Sequence, residues 1–185
     1  MTAGNVGYRP NGCVHTVSSK NGATLLAILT GGVEPATELA EGTPIQVDDG
    51  IVVDERCRTN VEGVYAAGDV ANLHHAKLGR RIRVEHWQNA RRQGRAAARS
   101  MMGKTEPYEE VPWFWSDQYE HQLQYAGFHG GWDDLVLREG EGGLAAYYVK
   151  DGELQAAVSL DLDLEVRRAM PFIAVRAPIG SLRLG

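Results

Sequence analysis

Residues 59–69 read Thr-Asn-Val-Glu-Gly-Val-Tyr-Ala-Ala-Gly-Asp: a threonine-led turn, a short apolar run and a glycine–aspartate pair. Val64 and Tyr65 have the β-branched and aromatic side chains that suit a strand, and Ala66, Ala67 and Gly68 follow with almost no side chain. The run predicts a buried strand over 64–68 that stops abruptly, where another backbone or a flat ligand comes within contact distance. Asp69 is then expected at the carboxyl end of the strand, the edge at which open α/β sheets place ligands. A carboxylate there accepts hydrogen bonds from sugar-type hydroxyls and does not tolerate burial without a partner. Glycine followed by aspartate is also common in ordinary turns, so these residues alone leave a plain turn open.

The flanking chain predicts a mixed architecture. Residues 1–24 look irregular, with turns at Gly-Tyr-Arg-Pro-Asn-Gly and Ser-Ser-Lys-Asn-Gly, and residues 23–30 offer a buried strand closed by Gly31-Gly32. Pro35 and Gly42 bracket a short helix, and Ile51–Val53 reads as a brief strand. Residues 72–81, NLHHAKLGRR, look like a polar loop. A helix is expected from about Glu85 to Met102. Its apolar or small positions, Trp87, Ala90, Gly94, Ala97, Ala98 and Met101, share one face. Arg91, Arg92, Arg95 and Arg99 then point outward. Gly94 in mid-helix costs about 1 kcal/mol against alanine, which suits a close approach to a strand or ligand.

After the linker 104–112 come strand-like runs at 123–129, 133–139, 144–151 and 154–161, the last two joined by Asp151-Gly152, a type I′ hairpin signal. A final helix over 164–175 is expected to break at Pro171, and the tail from Pro178 is expected to be mobile.

Composition excludes several classes. The 185 residues are 43% hydrophobic and carry a net charge of −5, ordinary values for a globular chain. No apolar run approaches the length needed to cross a bilayer, and the start lacks a basic segment followed by an apolar core, which favours the cytoplasm. Cys13 and Cys57 form no CxxC pair, which argues against a disulfide scaffold, a zinc ribbon or a dithiol redox centre. Both read as small buried or half-exposed residues. His74, His75, His86, His121 and His129 lack metal-ligand spacing and read as surface or core residues. Charge is segregated: from Lys77 to Lys104 nine bases stand against Glu85 alone, and from Thr105 to Glu165 fourteen acids stand against Arg138 and Lys150. A basic stretch of this kind attracts an acidic protein or an anionic cofactor, or forms a solvated helix face. No groove-reading motif accompanies it, so nucleic acid is not expected.

Thr59, four spacers and Val-Tyr-Ala-x-Gly-Asp together resemble the second FAD-contacting segment of the pyridine-nucleotide flavoprotein oxidoreductases. The strings VEHWQNARRQGRAAA and PWFWSDQYEHQLQYAGF resemble the ferredoxin and rubredoxin reductase branch of that family, and the likeness runs from about Gly32 nearly to the end. The resemblance implies an α/β remnant of the FAD- and NAD-binding domains followed by a small α+β C-terminal reductase domain. Residues 1–36 would be the remnant of the NAD-binding domain, 37–105 the second segment of the FAD-binding domain, and 106–185 the C-terminal domain. By the same resemblance Gly68 and Asp69 meet the ribityl chain of FAD, and the backbone at Val70 and Ala71 approaches the ring end. Trp87 and Trp115, the latter with Phe114 and Ser116, line the flavin pocket. Trp87 also suits a plain core position, and one of the three aromatics 113–115 must face away. Arg80, Arg81, Arg83, Arg91 and Arg92 are candidates for steering a small acidic ferredoxin or rubredoxin.

The pattern lacks one part. A dinucleotide site needs G-x-G-x-x-G opening a helix, so that backbone amides meet the pyrophosphate, and no such string occurs here. The NAD(P)H site is therefore expected to be absent, and the chain is expected to bind FAD poorly and to turn over little by itself. A separate chain carrying the missing parts would make it one half of a split reductase. Alternatively, residues 108–185 serve as a non-catalytic interaction or dimerisation module. A relative of apoptosis-inducing factor is less favoured, because of PWFWSDQY.

Overall fold

The computed structural model describes residues 34–182, together with the backbone of two strands, β1 (Cys13–Ser18) and β2 (Thr24–Leu29). The chain divides into two compact units, residues 1–36 and 37–185. In the first, β1 and β2 pair antiparallel, Cys13 opposite Leu29 and Ser18 opposite Thr24. The strand expected at 23–30 is present as β2, whereas β1 replaces part of what reads as irregular. The turns expected before Cys13, at 19–23 and at Gly31-Gly32 lie outside the described residues, as does the side chain of Cys13.

The second unit opens with a single 3-10 turn, Glu38–Ala40, where a short helix is expected. Strand β3 (Ile51–Val53) pairs in parallel with β4 (Ala71–His75), and β4 pairs antiparallel with β5 (Arg80–Ile82). Two expectations fail here. The run 64–68 is not a strand: only Tyr65 pairs, through one antiparallel bridge to Arg58. Residues 72–81 are not a loop but most of a hairpin. The reason is that β4 buries polar side chains that find partners for all but the Asn72 Oδ1. Asn72 Nδ2 donates to the Asp48 carbonyl, and the His75 ring nitrogens contact the Glu110 carbonyl at 3.2 Å and the Leu78 amide at 3.4 Å. A buried polar group with a partner loses little relative to water, so hydropathy alone misplaces such a strand.

Helix α1 (Trp87–Met101) matches the expected span, but its inner face is rotated from the expected one. Asn89, Gln93 and Ala97 are buried, while Trp87 is 69% exposed and Met101 60% exposed. A Cβ at Gly94 would meet nothing within 4 Å, so that glycine makes no close approach. Arg91, Arg95 and Arg99 are exposed as expected, and Arg92 is half-buried against Glu110. The segment 103–112 has no regular structure, yet Tyr108 N donates to the Glu55 carbonyl at 2.7 Å and Lys77 pairs with Glu109 at 3.2 Å. This linker is strapped to the α/β portion.

Beyond it, five antiparallel strands form one sheet in the order β6 (Trp113–Gln118), β7 (His121–Gly127), β10 (Glu153–Leu160), β9 (Gly143–Lys150), β8 (Asp134–Gly140). The β9–β10 turn is Asp151-Gly152, with φ of 52° and 79°, the left-handed pair that a type I′ turn requires. Helix α2 (Asp163–Ala174) covers one face, where Ala126, Tyr147, Leu154, Val166 and Ile173 form the core. It runs through Pro171, because Val166, Ala169 and Ile173 anchor its inner side and one missing N–H does not break it. Nor is the tail loose up to Leu182. Leu154 N donates to Ala177 O at 2.9 Å, Ile179 N to Gly152 O at 3.0 Å, and Leu182 is buried in the same core. The fold class is as expected, an α/β portion followed by a small α+β domain. Among the described residues no helix is long and apolar enough to cross a membrane, and no His, Cys, Asp and Glu cluster is arranged to hold a metal ion.

At the β6–β7 hairpin His121 Nδ1 lies 2.7 Å from Asp161 Oδ2, and Asp161 Oδ1 accepts from Gln122 N at 2.7 Å. The hydrogen bond and charge of Asp161 raise the His121 pKa above its ordinary 6.5. A raised folded-state pKa contributes stability that is full below 6.5 and lost as pH rises through the folded value. In Asp161→Asn, NMR titration of the His121 ring is expected to fall back toward 6.5 and this pH dependence to flatten.

Candidate functional site

The turn that carries Asp69 is locked from several sides. Gly68 has φ of +84°, and a Cβ there would stand 3.3 Å from the Ala90 Cβ of α1. Its N–H donates to Gln93 Oε1 at 2.7 Å, and its carbonyl accepts from Ala71 N at 2.9 Å. On the other flank Arg83 donates to the Asp69 carbonyl at 3.4 Å, pairs with Asp49 at 3.1 Å and contacts Glu85. Upstream, the Thr59 hydroxyl donates to Val64 O at 3.0 Å and accepts from Val61 N at 3.1 Å, which makes the threonine-led turn. Asp69 therefore stands at the amino end of β4, not at the carboxyl end of a strand 64–68. Its carboxylate is exposed on a backbone that is held.

Gln93 is buried almost completely, as are its neighbours in the helix and linker. Asn89 Nδ2 approaches Gln93 Oε1 at 3.4 Å and donates to Val84 O at 3.2 Å, while Tyr108 OH donates to Asn89 Oδ1 at 2.9 Å. Cys57, fully buried, points its thiol at the Gln93 carbonyl at 3.9 Å. Burial, with the nearby Asp54 charge, pushes that thiol up to about 12, so it is inert at neutral pH. These polar groups escape sequence reading, although Asn89 and Gln93, four apart among alanines and glycine, are the trace of them.

His86 opens α1 without capping it. Burial lowers its pKa below 6.5 against the opposing pull of Asp69 and Glu85, and its Nδ1 is buried without a hydrogen-bond partner. Its ring lies 4.5 Å from that of Phe114, which ties the start of α1 to β6.

The expected site residues separate into two groups. Gly68, Asp69 and Val70 share the locked turn, and Trp87 stands at the helix start with the Arg91 guanidinium 5.2 Å over its ring. Strand alternation puts Phe114 on the side of His86. Trp115 lies on the other side, 44% exposed and stacked 5.1 Å from Trp113. Among the arginines, Arg81 donates to the Val53 and Asn72 carbonyls at 2.9 Å each, Arg83 is held among Asp49, Glu85 and Asp69, and Arg80 lies 4.8 Å over Phe128. Arg92 pairs with Glu110, which leaves Arg91 the freest of the five, with its guanidinium on an exposed indole.

A family model described as pyridine nucleotide-disulphide oxidoreductase matches residues 5–94, and one described as reductase C-terminal matches residues 113–185. The chain is 38% identical over 150 residues to the ferredoxin–NAD(+) reductase component of the anthranilate 1,2-dioxygenase system of Burkholderia cepacia, covering 79% of this chain and 37% of that protein. It is 34% identical over 159 residues to putidaredoxin reductase CamA of Pseudomonas putida, covering 83% and 37%. Among solved structures, Fdr9 superposes with a TM-score of 0.74 at 36% identity, over 90% of this chain and 46% of that one. A chain of the covalent putidaredoxin reductase–putidaredoxin complex superposes with a TM-score of 0.74 at 29% identity, over 90% and 44%. The chain thus spans less than half the length of these relatives.

Proposed function

Because the chain belongs to the pyridine nucleotide-disulphide oxidoreductases, in their ferredoxin and rubredoxin reductase branch, we propose that it supplies the flavin-gripping turn and the C-terminal domain of an NAD(P)H–ferredoxin (or rubredoxin) reductase. The observation that carries this reading is the exposed Asp69 carboxylate on a backbone locked by Gln93 and Arg83, beside the start of α1. Such a carboxylate accepts from the hydroxyls of a sugar alcohol without reorganising its backbone.

The residues present fit FAD in part. The exposed indole of Trp87, the unpartnered Nδ1 of His86 and the Phe114 ring against it gather at the start of α1, which suits a flat ring with polar edges. FAD held here would supply hydride acceptance from a nicotinamide and one-electron transfer onward. In this reading Gly68, Asp69 and Val70 orient the ribityl chain and Trp87 excludes water around the ring, whereas Trp115, on the other side of β6 from Phe114, reaches it only if that strand turns its outer side to the flavin. Residues 37–105 act as the second flavin segment, 106–185 as the reductase domain and 1–36 as the end of the nicotinamide domain.

Without a G-x-G-x-x-G segment no helix terminus meets the pyrophosphate, so the chain alone binds FAD weakly and turns over little. Its electron acceptor is a small acidic iron–sulfur protein, steered by the basic stretch with Arg80 and Arg91 outermost and Arg92 tied to Glu110. Arg81 and Arg83 act there chiefly through their charge, since their donors are engaged.

The outer face of α1 favours a second polypeptide that completes the site: Trp87 and Met101 are exposed along it, and Gly94 is open. Titration with FAD, followed by flavin fluorescence, tests the reading. Weak binding alone, tightened by a polypeptide that carries the missing G-x-G-x-x-G segment, is expected. A yellow protein whose flavin NADH bleaches without any second chain contradicts the predicted inactivity.

A further inference from the structure

We propose that Tyr108, in the linker to the C-terminal sheet, is a positioning residue for the Gly68–Asp69 turn, acting through the side-chain amides of Asn89 and Gln93. The assignment of that turn to a cofactor rests on the reading above, whereas the relay itself is a property of the chain.

The relay follows from what each group can donate. The Val84 carbonyl only accepts, so the end of the Asn89 amide that faces it is Nδ2, and the amide oxygen is turned to the Tyr108 hydroxyl, which donates to it at 2.9 Å. Asn89 Nδ2 then points the other way, toward Val84 O at 3.2 Å and Gln93 Oε1 at 3.4 Å. Gln93 Oε1 in turn receives two donors, Asn89 Nδ2 and, at 2.7 Å, the Gly68 N–H. Reversing the Asn89 amide would set its oxygen against the Val84 carbonyl and against Gln93 Oε1. All three side chains are buried, and in a low-dielectric interior two facing acceptors cost far more than at the surface. The Val84 carbonyl and the Gly68 N–H thus set the two amides, and the Tyr108 hydroxyl satisfies the buried Asn89 oxygen that this arrangement leaves facing it, so its loss loosens the chain that holds the turn.

Tyr108 is itself anchored. Its N–H donates to Glu55 O at 2.7 Å, and its ring packs in the core with Val53, Cys57 and Ala97. The linker neighbours Glu109 and Glu110 pair with Lys77 and Arg92. The strap that leads into β6 and the turn that presents Asp69 thus belong to one hydrogen-bonded unit, so a displaced linker loosens the turn.

The test is amide hydrogen exchange at Gly68, measured by NMR on the full chain without flavin. Tyr108→Phe keeps the ring and removes the hydroxyl. Gly68 is expected to exchange roughly two- to tenfold faster, the effect of one neutral hydrogen bond, while amides of β7, β9 and β10 do not change. Asn89→Ala enters the same relay independently and is expected to have the same effect at Gly68. In Gln93→Leu, which cuts the last link, adding Tyr108→Phe is expected to change Gly68 no further, because contacts in one network are not additive. An unchanged Gly68 rate in both single variants overturns the proposal. So does a Tyr108→Phe effect that survives intact in the Gln93→Leu background, since Tyr108 would then act through general stability. A failed FAD titration alongside a positive exchange result would reject the cofactor reading and leave the relay standing.

Discussion

Replacing Glu165 with alanine is expected to remove about 2–3 kcal/mol of stability. Glu165 is 8% exposed, at the start of α2. It accepts from Tyr147 OH, pairs with Arg138 and has Arg168 at 3.5 Å. The alanine variant leaves the Tyr147 hydroxyl, on a fully buried residue, and a half-buried guanidinium without their acceptor. The estimate lies below the 3–5 kcal/mol of fully buried pairs, because Arg138 keeps some access to water. In thermal unfolding it corresponds to a midpoint lowered by roughly 5–10 °C for a chain of this size.

The same carboxyl sets an acid limb. Burial opposes its ionisation, but the Tyr147 hydrogen bond and the Arg138 charge outweigh burial and hold its pKa below the ordinary 4.5. A depressed folded-state pKa contributes stability that is present above 4.5 and lost as pH falls through the folded value. Glu165→Gln is expected to lack that limb while keeping the shape of the site. If Glu165→Ala unfolds within 1–2 °C of the parent chain, where roughly 5–10 °C is expected, the network is not a cross-link between α2 and the sheet.

Gly50→Ala is expected to have a comparable effect in the α/β portion. Gly50 has φ of +110°, where side chains are strained, and a Cβ there would stand 2.5 Å from the Val70 carbonyl oxygen and 3.1 Å from Arg83 Cδ. Val70 O is backbone and accepts the Ile51 N–H at 2.7 Å, so relief must break the entry to β3 or shift the turn. Strain and the displaced bond together amount to about 2–4 kcal/mol. Unlike Glu165→Ala, this change is also expected to move the Asp69 and Val70 amide resonances. A stable variant with those resonances in place would show that the β3 entry does not brace the turn.

The C-terminal domain was the more legible part of the sequence. Four of its five strands alternate or run apolar, β6 with its three consecutive aromatics being the one not expected, and Asp151-Gly152 announces its turn through a conformation that few other pairs adopt. The α/β portion was less legible, because its interior is partly polar. Asn72, His75, Asn89 and Gln93 are buried by satisfying one another and nearby carbonyls, and hydropathy counts them as surface. That is why β4 reads as a loop and why α1 is expected to turn Trp87 inward. Asp69 was found by motif, but its place was not: Gly68 turns the chain before a strand begins, so the carboxylate precedes β4. Of the five candidate docking arginines, sequence could not separate those consumed by carbonyls and carboxylates, Arg81 and Arg83, from Arg91. The distinction lies in long-range contacts such as Arg81 with Val53.

Mapping FAD onto the chain by NMR tests the proposed flavin contact of the Gly68–Asp69 turn most directly. As FAD is raised to millimolar concentration, the amides of residues 68–70, the Trp87 indole and the amides of residues 114–116 are expected to shift together along one binding curve. In Asp69→Ala, which leaves the Gln93 bond to Gly68 intact, that curve is expected to weaken about tenfold, as for a lost hydrogen bond to a charged group. Resonances of the turn and the Trp87 indole that stay fixed while FAD shifts other parts of the chain, or shifts of equal size with Asp69→Ala, would contradict the account.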